Sequence, residues 1–186
     1  MEDRVRIIEK ISVQTFGLET YLNILEKFNT TSDLRNDSDF QRMFNGYYKV
    51  RRNEKWRKSY YDLFQLCKNL TPNQITFKDI IQTLYDKTGK VEASFTSKML
   101  ASIDVNKPIW DKNVLNYLEL THKGDSPKEK IHSAIDVYHT IELKYTTLEY
   151  QNFIATFNEL LPSYKNRLSD TKKIDCFIWL LGMSKG

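Results

Sequence analysis

Lys98 and Asp111 are the residues of this chain whose types and spacing best suit covalent chemistry. They stand thirteen positions apart in SFTSKMLASIDVNKPIWDKNVL, which runs from Ser94 to Leu115. A lysine becomes a nucleophile when partial burial lowers its pKa, and a nearby carboxylate can deprotonate it or stabilise a cationic transition state. The apolar stripe of the helix carrying the lysine runs through Phe95, Met99 and Ile103. Lys98 falls about 60° to one side of Phe95, at the edge of the face expected to be buried. A loop stiffened by Pro108 then leads to Asp111 at the start of the next helix, so the chain is able to fold back on itself. The same spacing also fits a lysine that snorkels to solvent and an aspartate that only caps its helix.

The elements that must position these two residues are helical. Apolar residues recur at helical spacing and no stretch sustains a period of two, which predicts an all-α protein. A first helix is expected over roughly Val5 to Lys27, with Gly17 as its weak point, then helices over Asp39 to Tyr48, Trp56 to Asn69 and Phe77 to Asp86. Thr88-Gly89 stops the fourth, and Glu92 to Ile103 carries Lys98. Asp111 is a good N-cap for a helix to about Leu120. Ser126-Pro127 followed by Glu129 has the form of a capping box and predicts a long helix to about Lys144. A helix from Leu148 to Leu161, stopped by Pro162, and one capped by Asp170 close the chain. Its 186 residues, 40% hydrophobic and without a composition break, suit one compact single-domain helical bundle over residues 1–186.

The quoted stretch resembles the core of the helix-hairpin-helix DNA glycosylase superfamily, in which a hairpin is followed by a helix bearing a catalytic lysine and then a Pro-x-x-Asp that opens the next helix. The 8-oxoguanine DNA glycosylase branch has both residues. On that resemblance Lys98 matches the nucleophile and Asp111 the aspartate, with Asn113 and Val114 at the polar and apolar positions that follow. The local match covers about 25 residues, and the Gly-x-Gly of the hairpin is absent, since VEASFTSK has no glycine after Gly89. The lysine-to-aspartate spacing is also several residues shorter than is usual in that family. Lys90, which follows Gly89, is the alternative lysine. The resemblance implies removal of an oxidised purine, 8-oxoguanine first, from damaged double-stranded DNA, followed by strand nicking through a lysine Schiff base without metal or cofactor. A non-catalytic DNA-binding or defence-associated protein on the same scaffold is the rival reading, and a helical module binding an acidic protein is a third.

Charge distribution bears on the partner. Net charge is only +4, but residues 42–61, RMFNGYYKVRRNEKWRKSYY, hold seven Lys or Arg against one acid, Glu54, a local charge of +6. Lysines and arginines neutralise phosphates and aromatics stack on bases, so Arg51, Arg52, Lys55, Arg57 and Lys58 are the expected DNA contacts, joined by Asn113 from the resemblance. The same residues also suit a solvated charged face over an aromatic core. Two distant cysteines and three unclustered histidines offer no metal cluster. No apolar run reaches membrane-span length and the start, MEDRVRIIEK, lacks the order of a signal peptide, so a monomeric, cytoplasmic, DNA-associated protein is expected.

Overall fold

Most helix boundaries are written by local caps. The computed structural model describes residues 17–183. Among them are nine α-helices and no strand, as the periodicity requires. They divide into two compact units, Gly17–Ile103 and the part of the chain from Asp104 onward.

The first unit holds α1 (Leu18–Thr30), α2 (Ser38–Tyr47), α3 (Glu54–Lys68), α4 (Phe77–Thr88) and α5 (Ala93–Ile103). The expected first helix falls in part, from Val5 to Phe16, outside the described residues. At Gly17 φ is 59°, and α1 begins one residue later, at Leu18. The side chains of Asp37 and Asn53 cap α2 and α3 by accepting from Phe40 N and Trp56 N, so both helices begin one or two residues earlier than periodicity alone suggested. Gly89, at φ 67°, ends α4 in the left-handed conformation that glycine adopts at least cost. Lys49 takes the same kind of seat after α2, at φ 55°, where Val50 N reaches back to Asn45 O. A side chain in that conformation costs about 1 kcal/mol relative to glycine.

An aromatic cluster fills this unit. Phe28, Phe40, Phe44, Tyr60, Tyr61 and Phe64 are each no more than 6% exposed and meet at ring-centroid distances of 5.3–6.4 Å. Buried Trp56 Nε1 has no hydrogen-bond partner among the described residues, but other polar groups of this unit are well met. Buried Gln65 accepts from Leu34 N at 2.7 Å and donates to Ser32 O and Asn69 Oδ1, which fastens the α1–α2 loop to α3. The Lys68 amine donates to the carbonyls of Phe28 and Thr31 at the end of α1, and burial lowers its pKa.

The second unit holds α6 (Lys112–Leu118), α7 (Pro127–Tyr145), α8 (Leu148–Leu160) and α9 (Asp170–Met183). Ser126 and Glu129 make the expected capping box, with Pro127 at the first helical position. Asp111 caps α6, which stops at Leu118 because Glu119 turns left-handed, two residues short of the expected end. Asp170 is the first residue of α9 and not its cap. Ser169 has that role, accepting from Lys172 N with its hydroxyl, because its side chain precedes the first unpaired amides. Helix α9 packs chiefly on α6, with Ile174, Phe177, Ile178 and Leu180 buried.

Candidate functional site

Lys98 sits in α5 one turn beyond the hairpin that joins α4 to α5. That hairpin is Gly89, Lys90, Val91 and Glu92, with Lys90 exposed. The Glu92 carbonyl accepts from Phe95 N and Thr96 N and so starts α5. Its carboxylate is buried and takes a bidentate pair from Arg52, at 3.0 Å from Nε and 2.9 Å from Nη2. The Arg52 guanidinium also lies 5.4 Å from the ring centroid of Phe95 and 5.8 Å from that of Trp56. On the helix itself, the Lys98 amine donates to Ser94 Oγ at 2.9 Å and lies 5.3 Å from the Phe95 ring and 5.7 Å from the Tyr48 ring. Tyr60 OH donates to Phe95 O at 3.0 Å.

Burial on α5 differs from the stripe read in the sequence. Phe95 and Ile103 are half-buried, whereas Thr96, Ser97, Lys98 and Ser102 are buried along with Met99 and Leu100. Small hydroxyl residues are able to enter the interior because Ser97 and Ser102 donate to carbonyls of their own helix, Ser94 O and Lys98 O. Lys98 is 7% exposed, so it is drawn inside and not left at an edge. The primary amine of a buried lysine, on a rigid helix and bonded to a neutral hydroxyl, is chemically suited to add to a carbonyl or to an electrophilic sugar carbon.

Asp111 belongs to the second unit. The segment before it is pinned at four points: Ser169 Oγ donates to Val105 O, Thr171 Oγ1 to Asn106 O and Tyr138 OH to Pro108 O, while Ile109 N donates to Asp175 Oδ1. Lys107 adds an ion pair to Glu142 at 2.9 Å. The loop therefore leaves Asp111 at a defined place, half-buried, with Oδ1 accepting from Asn113 N at 2.9 Å. Asn113 is itself half-buried on α6. Asp175 is buried beneath this loop, where desolvation raises its pKa to about 6 against the pull of Lys172 and the hydrogen bonds from Tyr145 OH and Ile109 N. Burial also pushes the thiols of Cys67 and Cys176 up to about 11, so neither is a thiolate at neutral pH.

The basic stretch separates into two sets. Arg52 is paired to Glu92, and Arg57 donates to Arg52 O at 2.7 Å. Arg51, Lys55 and Lys58 are exposed. Spacing alone could not sort them, and neither Glu92 nor Ser94 had a signal beyond its place ahead of Lys98. Tyr48 stood out only as one aromatic among many. Among the described residues no group of three or more His, Cys, Asp or Glu could hold a metal ion, and no helix is long and apolar enough to cross a membrane. No family model, curated protein or solved structure matches this chain.

The Arg52–Glu92 pair sets the register of the hairpin. Arg52→Ala is expected to destabilise the protein by about 2 kcal/mol, because it leaves a buried carboxylate without its partner, and Glu92→Gln in the same background should restore part of that loss. Urea denaturation of the single and double variants measures both. Equal stability of Arg52→Ala and wild type would show that the pair is only a surface contact.

Proposed function

We propose that this chain is a DNA glycosylase of the helix-hairpin-helix type with AP lyase activity, acting through Lys98. One observation carries the reading: the lysine singled out by its place in the sequence is buried, one turn into a helix that follows a tight interhelical hairpin. Ser94 and the Phe95 and Tyr48 rings hold its amine in one place, which is the positioning a nucleophile needs. Asp111, at a pinned helix start, is the carboxylate proposed to stabilise the oxocarbenium-like sugar.

In this reading the damaged nucleotide is flipped out of the duplex. The neutral Lys98 amine attacks C1′ as the bond from C1′ to the base nitrogen breaks, and the base departs with that electron pair and takes up a proton. Loss of a proton from the nitrogen and opening of the sugar ring give an imine. Loss of a C2′ proton then expels the 3′ phosphate, which nicks the strand. An oxidised purine, 8-oxoguanine first, is the proposed base.

Borohydride trapping tests this directly, because it reduces an imine to a stable amine and leaves a covalent protein–DNA adduct. Wild type and Lys90→Gln are expected to trap on a duplex bearing an abasic site, and Lys98→Gln to lose at least about a thousandfold in trapping rate, the scale for removing a covalent nucleophile. Loss in Lys90→Gln alone would transfer the role to the hairpin lysine. Absence of any adduct in wild type, with duplex binding intact, would leave a DNA-binding protein without turnover.

A further inference from the structure

We infer that Lys49, Arg51, Lys55 and Lys58 form the surface that grips the phosphate backbone of duplex DNA, while Arg52 and Arg57 of the same stretch serve only the fold. The inference deepens the lyase reading by saying how its DNA is held, and it rests on that reading for the choice of DNA as the polyanion.

All four cations are exposed and fall within ten residues, on the connection into α3 and its first turns. Among the described residues the acids form ion pairs with Lys27, Arg35, Arg42, Arg52, Lys107, His132 and Lys173, and with none of these four. On α3 the buried stripe is broad, taking in Trp56, Tyr60, Tyr61, Leu63, Phe64, Gln65 and Cys67, while Lys55 and Lys58 in its first turns stay exposed. Arg57 lies nearer that stripe and donates to the carbonyl of Arg52. Packing has thus sorted one continuous basic run into an inner pair and an outer four.

Two of the outer positions are poor choices for the fold alone. Lys49 occupies a left-handed seat that glycine would fill with less strain. Lys55 is the second residue of α3, next to the positive end of the helix dipole, where an acid is the stabilising choice. A cation that is locally unfavourable at both places is explained by an anionic partner that meets it there. Repeated phosphates, each neutralised by one cation, fit four charges spread along a short path better than a single carboxylate would.

The test is anisotropy with a fluorescein-labelled duplex carrying one abasic site, titrated from about 50 to about 200 mM NaCl. Replacing all four outer cations by glutamine should flatten the slope of log affinity against log salt by about 3 to 4, since each phosphate contact contributes about 0.9. Arg57→Gln should leave the slope unchanged. Lys49→Gly separates binding from folding, because it should raise Tm by about 2 °C while flattening the slope by about 1. An unchanged slope in the fourfold variant, with helix content retained, overturns the surface. So does polyglutamate that competes as well as unlabelled duplex, which would point to an acidic protein. Borohydride trapping of the same samples keeps the two ideas apart: trapping with an unflattened slope removes the surface alone, and a flattened slope without trapping removes the lyase alone.

Discussion

Gly182→Ala is expected to destabilise the protein by about 3 kcal/mol, the upper part of the range for forcing extra volume into a packed contact. A Cβ at that position would lie 1.8 Å from Asn113 O and 2.6 Å from Asn113 C. Both atoms are backbone, so no side-chain rotation relieves the clash, and α6 would have to move off α9. Alanine's better helix propensity returns only about 1 kcal/mol. The displaced helix is the one that Asp111 caps, so the same substitution should disturb the loop from Val105 to Ile109. Gly46→Ala is the control, because a Cβ there meets nothing within 4 Å on a helix, and it should stabilise by up to about 1 kcal/mol. Urea denaturation of the two variants beside wild type decides it. Equal midpoints for Gly182→Ala and wild type would mean that α6 and α9 are not in such close backbone contact.

Asp175 is expected to make stability fall as pH rises from about 4 to about 6. Its folded pKa, about 6, lies above the ordinary 3.8, so in that window the folded chain holds a proton that the unfolded chain has released. The penalty is absent below pH 4, where both states are protonated, and is complete above pH 6. Two units of difference correspond to about 2–3 kcal/mol. The groups around it are Lys172, which favours its charged form, Asp111, which opposes it, and the Tyr145 hydroxyl and Ile109 amide, which donate to it. Asp33 and Asp37 act in the other direction, since hydrogen bonds hold them near 2 and their contribution is lost only as pH falls below about 4. Asp175→Asn keeps an acceptor oxygen and removes the titration, so it should flatten the profile between pH 4 and 6. A profile with the same slope in that variant would assign it to another group.

The helices were legible because their signals are local. Ser126 and Glu129 are three residues apart, Asp111 reaches an amide two residues on, and Gly89 needs nothing but its own backbone freedom, so any window of the sequence contains the whole interaction. Those short-range bonds were readable even where boundaries moved by one or two residues. Lys98 and Asp111 were legible as candidates for the same reason, one by its place on a helix and the other as a cap.

What surrounds them was decided by tertiary structure. Arg52 meets Glu92 across forty positions, and Asp175 meets Ile109 across sixty-six, each chosen from a chain with 24 acidic residues. Nothing in the spacing of a run reading KVRRNEKWRK separates the arginines that turn inward from the cations that face solvent. The burial of Lys98 likewise arose because serines on α5 satisfy themselves on their own helix and let a polar face enter the interior. Periodicity counts apolar residues, so it located the helix but not that face. The sequence by itself determined the helices, the ends written by Gly89, Asp111 and Ser126, and the two candidate residues, because those depend on neighbours a few positions away. Which charges are desolvated and which meet the solvent depended on packing between distant segments, which no local pattern encodes.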